Sequence, residues 1–164
     1  MKILLLMRHA KSDWKKSGLT DFERPLNKRG RHAAPKMGRF LRAQGLTPDL
    51  LLASSAERAR QTAEAVTGAG EFDVELTLRR DLYLATCGEY LDALERLPED
   101  VECVLVVGHN PGLEELVESL TGATEFLPTA AVAHVTLSID RWKDIRSGEK
   151  GRLEAVWRAK ELPG

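Results

Sequence analysis

Apolar residues along this chain follow two patterns that alternate. Short unbroken runs such as Ile3-Leu4-Leu5-Leu6-Met7 and Cys103-Val104-Leu105-Val106-Val107 suit strands buried on both faces of a parallel sheet. Segments with apolar residues every three or four positions suit helices laid over such a sheet. The pattern predicts strands at Lys2–Met7, Leu50–Ala53, Val74–Thr77, Glu102–Val107, Ala131–Ser138 and Arg152–Trp157, with helices filling the gaps. The first helix takes Asn27 as its N-cap, turns Ala33, Met37, Phe40 and Leu41 inward and stops before Gly45; Pro35 is expected to kink or restart it. A second opens on a Ser54/Glu57 capping box and stops at Gly68-Ala69-Gly70, and a third opens on a Thr86/Glu89 box and ends at Pro98. The fourth has Asn110 as N-cap with Pro111 at the first helical position, and closes at Gly122.

Regular alternation of strand and helix argues for a single α/β domain over residues 1–164. The expected form is a three-layer α/β/α sandwich, with a mostly parallel central sheet and helices on both faces. The last two strands have no full helix between them: Asp140–Gly151 reads as a loop with one turn, so they are expected to pair antiparallel at an edge. One other segment breaks the pattern. Lys11–Leu26 contains Trp14, Gly18 and Pro25, shows no clear period and exceeds the usual length of a connection in a compact domain. Its place directly after Arg8-His9 assigns it a substrate-covering role.

Composition narrows the class without naming the chemistry. The 164 residues are 43% hydrophobic and 30% charged, ordinary for a water-soluble globular protein. Lys+Arg 24 against Asp+Glu 25 leaves a net charge of -1, which argues against a broad nucleic-acid or anionic-membrane footprint; any basic site must be local. The first apolar run is broken by Arg8 too early for a signal peptide, and no stretch reaches the roughly 18 apolar residues of a membrane span. Cys87 and Cys103 have no metal-site spacing around them and read as free thiols. The expectation is a cytoplasmic monomer with no metal and no cofactor.

The chemistry lies where strands end. Arg8-His9 follows the first strand, Ser54–Arg58 follows the second and opens a helix, and Gly108-His109 follows the fourth and opens another. All three should meet along the carboxyl edge of the sheet, where open α/β sheets bind ligands. Helix N-termini suit a phosphate, and the Arg8 and Arg58 guanidinium forks match phosphoryl oxygens. Ser54 or Ser55 is a possible nucleophile, although helix capping explains a serine there more cheaply. A neutral imidazole is a competent covalent nucleophile. The chain has neither a GxxxxGK[ST] loop nor paired carboxylates for a metal-dependent phosphatase, so histidine is the better candidate. His32 and the Lys15-Lys16 pair read as solvated surface, His134 as structural or partly exposed, and Trp142 and Trp157 as packing.

Leu6-Met7-Arg8-His9-Ala10-Lys11-Ser12-Asp13-Trp14, then Arg24-Pro25-Leu26-Asn27 with Arg29-Gly30, then Ser54-Ser55-Ala56-Glu57-Arg58-Ala59-Arg60-Gln61-Thr62-Ala63, and finally Val106-Val107-Gly108-His109-Asn110-Pro111 occur in this order. Together they resemble the histidine phosphatase (phosphoglycerate mutase-like) superfamily. The small size, Ala10 after the histidine and the His-Asn-Pro ending resemble its SixA-type phosphohistidine phosphatase branch. The resemblance implies that His9 is the phosphorylated nucleophile and that Arg8, Arg58 and His109 complete the phosphate pocket, with Ser12 and Lys15 as further substrate contacts. Lys15 stands where many members carry a phosphate-holding asparagine. The superfamily's general acid would fall to Asp81, or less well to Glu89. A weak acid would favour phosphohistidine, because imidazole departs with less proton assistance than an alkoxide. The implied partner is a phosphohistidine-bearing protein such as a phosphotransfer domain. The alternatives are a phosphatase of small phosphate esters and a phosphate-sensing module without turnover.

Overall fold

The computed structural model describes residues 1–147 and 149–163. Its strands are β1 (Lys2–Arg8), β2 (Leu50–Ser54), β3 (Glu75–Arg79), β4 (Cys103–Gly108), β5 (Val132–Leu137) and β6 (Arg152–Trp157). They form one sheet in the order β3-β2-β4-β1-β5-β6. The pairs β3/β2, β2/β4 and β4/β1 are parallel, whereas β5 is antiparallel to both β1 and β6. Among the described strands, β5 alone therefore runs against the rest. The predicted antiparallel edge pair is present, and β5 also joins the sheet antiparallel to β1.

Helices α1 (Lys28–Ala43), α2 (Glu57–Gly70), α3 (Cys87–Leu94) and α4 (Gly112–Thr121) cover the two faces. Alternate residues of the strands serve the two sides. Leu4, Leu6, Val104 and Val106 pack with Tyr90 and Leu94 of α3 and with Leu113, Leu116 and Val117 of α4. Leu5, Met7, Leu105 and Val107 pack with Ala34, Met37 and Leu41 of α1 and with Ala59, Ala63 and Val66 of α2. Helices on both faces explain why these strands are apolar at every position rather than at every second one. Each fully buried leucine contributes about 1.5–3 kcal/mol of transfer free energy.

Several helix ends differ from the sequence expectation. The Asn27 side chain does accept from the Gly30 N–H at 2.9 Å, and the Thr86/Glu89 capping box is present. α1, however, continues through Pro35 without interruption; Ala34, Met37 and Leu41 are anchored in the core around it, and that packing carries the helix past the missing N–H. α2 has Ala56, not Ser54, at its N-cap, because the extended backbone of β2 runs on through Ser54. α3 stops at Leu94, one turn short of Pro98. Pro111, not Asn110, caps α4, and the Asn110 amide donates instead to the Leu127 carbonyl at 2.9 Å. In the 140–151 segment a single 3-10 turn, Trp142–Asp144, buries Trp142, whose indole N–H donates to the Val101 carbonyl at 2.7 Å; Gly148 lies outside the described residues. Cys87 and Cys103 are free thiols, and His134 stacks on Trp157.

Candidate active site

The strand order brings three sequence-distant segments together. β1 leads to β2 two places away in the sheet, and β4 later fills the place between them. Arg8 is in register with Gly108, and Ala53 with Val107, so the carboxyl ends of β2, β4 and β1 lie side by side. His9 and His109 follow at once, their ring centroids 5.3 Å apart and both almost fully buried. Arg58, in the first turn of α2, is 3% exposed and reaches across to both rings: its Nε lies 3.4 Å from His9 Nε2 and its Nη2 3.4 Å from His109 Nδ1. Arg8, Ser12, Arg24 and Asn110 join them around a pocket of about 420 Å³. Gly108 is required here, since a Cβ would meet the Tyr90 hydroxyl at 2.2 Å; that hydroxyl accepts the His109 backbone N–H at 3.0 Å.

Hydrogen bonds fix the state of each imidazole. His9 Nδ1 lies 2.7 Å from the Ala10 carbonyl, which can only accept, so Nδ1 carries the proton and donates. Nε2 therefore keeps its lone pair, which faces the pocket and accepts from Arg58 Nε at 3.4 Å, and an unprotonated nitrogen is the state a nucleophile needs. Burial pushes the His9 pKa down to about 3, and the Arg58, Arg8 and Arg24 guanidinium groups push the same way. His109, buried beside His9 and Arg58, is likewise lowered to about 3. Arg58 Nη2 can only donate, so His109 Nδ1 accepts from it and Nε2 carries the proton, donating to Ser54 Oγ at 2.8 Å; that hydroxyl also accepts the Ala56 N–H at 3.2 Å. A phosphoryl group beside Nδ1 favours a further proton on that nitrogen, which can then donate to it.

The loop between β1 and α1 supplies what sequence reading missed. Ser12 forms an isolated antiparallel bridge with Leu26, folding the intervening residues into a flap whose 3-10 turn, Asp21–Glu23, lies against α2. Asp21 pairs with Arg58 at 3.1 Å and with Arg24 at 2.9 Å, and accepts from the Tyr83 hydroxyl. Burial opposes ionisation of Asp21, but the bonds from Tyr83, Arg24 and Arg58 outweigh it and hold the carboxyl down at about 2. Arg24 also donates to the Ser12 hydroxyl and stacks on Trp14, its guanidinium carbon 3.4 Å from the ring centre. The length and aperiodicity of the segment were the available signal; nothing in its composition singles out Asp21, and nothing around Tyr83, after β3, marks it as a partner.

The other predicted site residues divide. Arg8, His9, Ser12, Arg58 and His109 line one pocket, whereas Lys15 is exposed on the flap and does not line it. Asp81 does not line it either. It lies in the 3-10 turn Arg80–Leu82 and forms a two-bonded ion pair with Arg79, at 2.9 and 2.6 Å. The Arg79 bond lowers its pKa, and an exposed, ion-paired carboxylate outside the pocket is not placed to hand a proton to a leaving group there, contrary to the expectation for Asp81. Glu89 is occupied in the α3 capping box. Ser54, a rival nucleophile in the sequence, orients His109 instead.

Two buried neutral imidazoles carry a consequence for stability. In the unfolded chain each takes up a proton near pH 6.5, while in the folded chain each resists protonation until about pH 3. Between those limits the unfolded state binds more protons, so stability falls as the pH drops from about 6.5 towards 3 and is insensitive to these groups above that range. Melting curves between pH 7 and 4 are expected to slope less steeply for a His9→Ala/His109→Ala variant than for wild type. Parallel slopes would show that the histidines are not held neutral.

A family model described as histidine phosphatase superfamily (branch 1) matches residues 4–90. An uncharacterized protein of Mycobacterium tuberculosis is 35% identical over 153 residues, covering 87% of this chain and 93% of its own length. Among solved structures, a candidate phosphohistidine phosphatase SixA from Nakamurella multipartitia superposes with a TM-score of 0.84 at 27% identity, covering 96% of this chain and 95% of that one. The protein histidine phosphatase SixA complexed with tungstate matches with a TM-score of 0.84 at 25% identity, over 98% and 99% of the two chains.

Proposed function

The chain belongs to branch 1 of the histidine phosphatase superfamily and is a phosphatase, and we propose that its substrate is phosphohistidine carried on a protein. In this reading His9 Nε2 attacks phosphorus and the P–N bond to the substrate imidazole breaks. Arg8 and Arg58 neutralise the transferring oxygens, and His109 donates to one of them. The Nδ1–H bond to the Ala10 carbonyl keeps phospho-His9 in its cationic imidazolium form. When water attacks that intermediate, phosphate departs and His9 leaves as a neutral imidazole.

One observation carries the choice of substrate. Among the described residues lining the pocket, Asp21 alone bears a carboxyl group, and at a pKa of about 2 it holds no proton near neutrality. An alkoxide leaving group needs a proton, and general acid catalysis is typically worth ~100- to 10,000-fold. A phosphorylated imidazole can instead take a proton from solvent on its second ring nitrogen and leave as neutral imidazole. The pocket therefore suits a substrate that brings its own protonation site.

Turnover across a panel tests this. With excess chelator present throughout, kcat/KM on a phosphohistidine protein or peptide is expected to exceed that on an alkyl phosphate by at least ~100-fold. Comparable values on both would favour a small phosphate ester as substrate. A loss of activity in chelator that a divalent ion restores would overturn the metal-independent mechanism.

A further inference from the structure

Beside the catalytic pocket lies a larger groove of about 690 Å³, bounded by the first half of α1, the 128–129 turn and the 3-10 turn Ala159–Glu161. Lys11, Lys28, Arg29, Lys36, Arg158 and Lys160 line it, and among its described lining residues there is no aspartate or glutamate. In a chain with a net charge of -1 this is a local concentration, not a background. Arg158 is paired with Glu125 and Glu161; among the described residues the other five cations have no carboxylate within ion-pair distance.

The cations also sit where helix stability disfavours them. Lys28 and Arg29 occupy the first turn of α1, which holds no acidic residue, and the positive end of a helix dipole repels cations. Lys28, His32 and Lys36 follow one another at four-residue intervals, so the two lysines flank a histidine along a single face. A sequence chosen for helix stability alone would place acids here. Lys11 and Thr129 line both the groove and the catalytic pocket, so the two cavities adjoin.

We propose that this groove docks an acidic segment of the protein whose phosphohistidine enters the adjoining pocket. The carboxylates would lie along the basic walls while the phosphorylated imidazole reaches His9. A small phosphate ester would be held within the pocket and leave the groove unused. Exposed cations of this kind act mainly through salt-sensitive attraction and orientation of an oppositely charged partner. The proposal rests on the phosphohistidine-protein reading above for the identity of the docked partner.

The test reverses one charge on each wall, Arg29→Glu with Lys160→Glu. Both side chains are exposed and neither lines the catalytic pocket. Wild type is expected to bind a labelled, phosphate-free, glutamate-rich peptide in fluorescence anisotropy. That affinity should weaken with salt, and at least ten-fold in the double variant. On an acidic phosphohistidine protein, kcat/KM should fall at least ten-fold, mostly through KM, with p-nitrophenyl phosphate turnover unchanged within two-fold. Because Arg29→Glu puts an acid at the start of α1, the melting temperature should hold or rise; Arg29→Ala with Lys160→Ala should shift both readouts in the same direction by less. The proposal is overturned by equal losses on the two substrates, by peptide binding that is absent or indifferent to the reversal, or by an RNA oligonucleotide that outcompetes the peptide. Peptide binding does not require turnover. Retained, reversal-sensitive binding without phosphohistidine hydrolysis would refute the substrate reading and leave the acidic docking groove standing.

Discussion

Alanine in place of His9 is expected to lower turnover by about four powers of ten or more while the chain still folds. Of the other described pocket side chains, His109 is held at both ring nitrogens, by Arg58 and by Ser54, and the Ser12 hydroxyl is held by Arg24. The fold should survive because the carboxyl end of β1 is anchored by backbone bonds. The His9 N–H donates to the Gly108 carbonyl at 3.0 Å, and the Ala10 N–H to the Thr62 hydroxyl at 3.0 Å. Rapid quench in alkaline denaturant during turnover should trap acid-labile, base-stable phosphate on wild type and none on the variant. Residual activity above about a hundredth of wild type would remove His9 as the nucleophile. A wild type that binds phosphate but never traps it would point to a sensing module instead.

How much of this site could be read in the sequence depends on where each residue's partners lie. His9, Arg58 and His109 were legible because each follows the end of an apolar run, and strand order alone brings those ends together. The reading failed where a side chain had two competing local explanations. Ser54 stands at a spacing that fits a capping box, yet β2 continues through it, so its hydroxyl turns to His109. Asp81 follows the third strand as a general acid would, but β3 extends to Arg79, and an arginine two residues back claims the carboxylate. Asn110 was a reasonable cap by type, and the Leu127 carbonyl, reached only when the chain returns towards β5, took its amide instead. Asp21 and Tyr83 were invisible for a related reason: they come from segments 62 positions apart, and nothing local in either announces the other.

Asp21 also shapes the second large effect. Arg58→Ala is expected to reduce kcat/KM by roughly a thousand-fold, the scale at which removal of a guanidinium that stabilises a transferring phosphoryl group is felt. Arg58→Lys should recover little of it, because one ammonium cannot reproduce the fork that meets His9, His109 and Asp21 together. The substitution does more than delete a charge. Arg58 Nη1 donates to the Asp21 backbone carbonyl at 2.7 Å and Nη2 pairs with its carboxylate, so this side chain pins the flap over the pocket. Without it, Asp21 keeps Arg24 and Tyr83 as partners, and the flap is tied to α2 by the Leu26 N–H bond to Gln61 Oε1 at its base. The two roles separate in a double variant. Arg58→Ala with Asp21→Asn should regain part of the melting temperature lost in Arg58→Ala, since no under-paired carboxylate remains, while kcat/KM stays low. Recovery of activity alongside stability would mean that Arg58 acts by holding the flap. A loss below ten-fold in Arg58→Ala would mean that the phosphoryl group is stabilised by Arg8 and His109 without it.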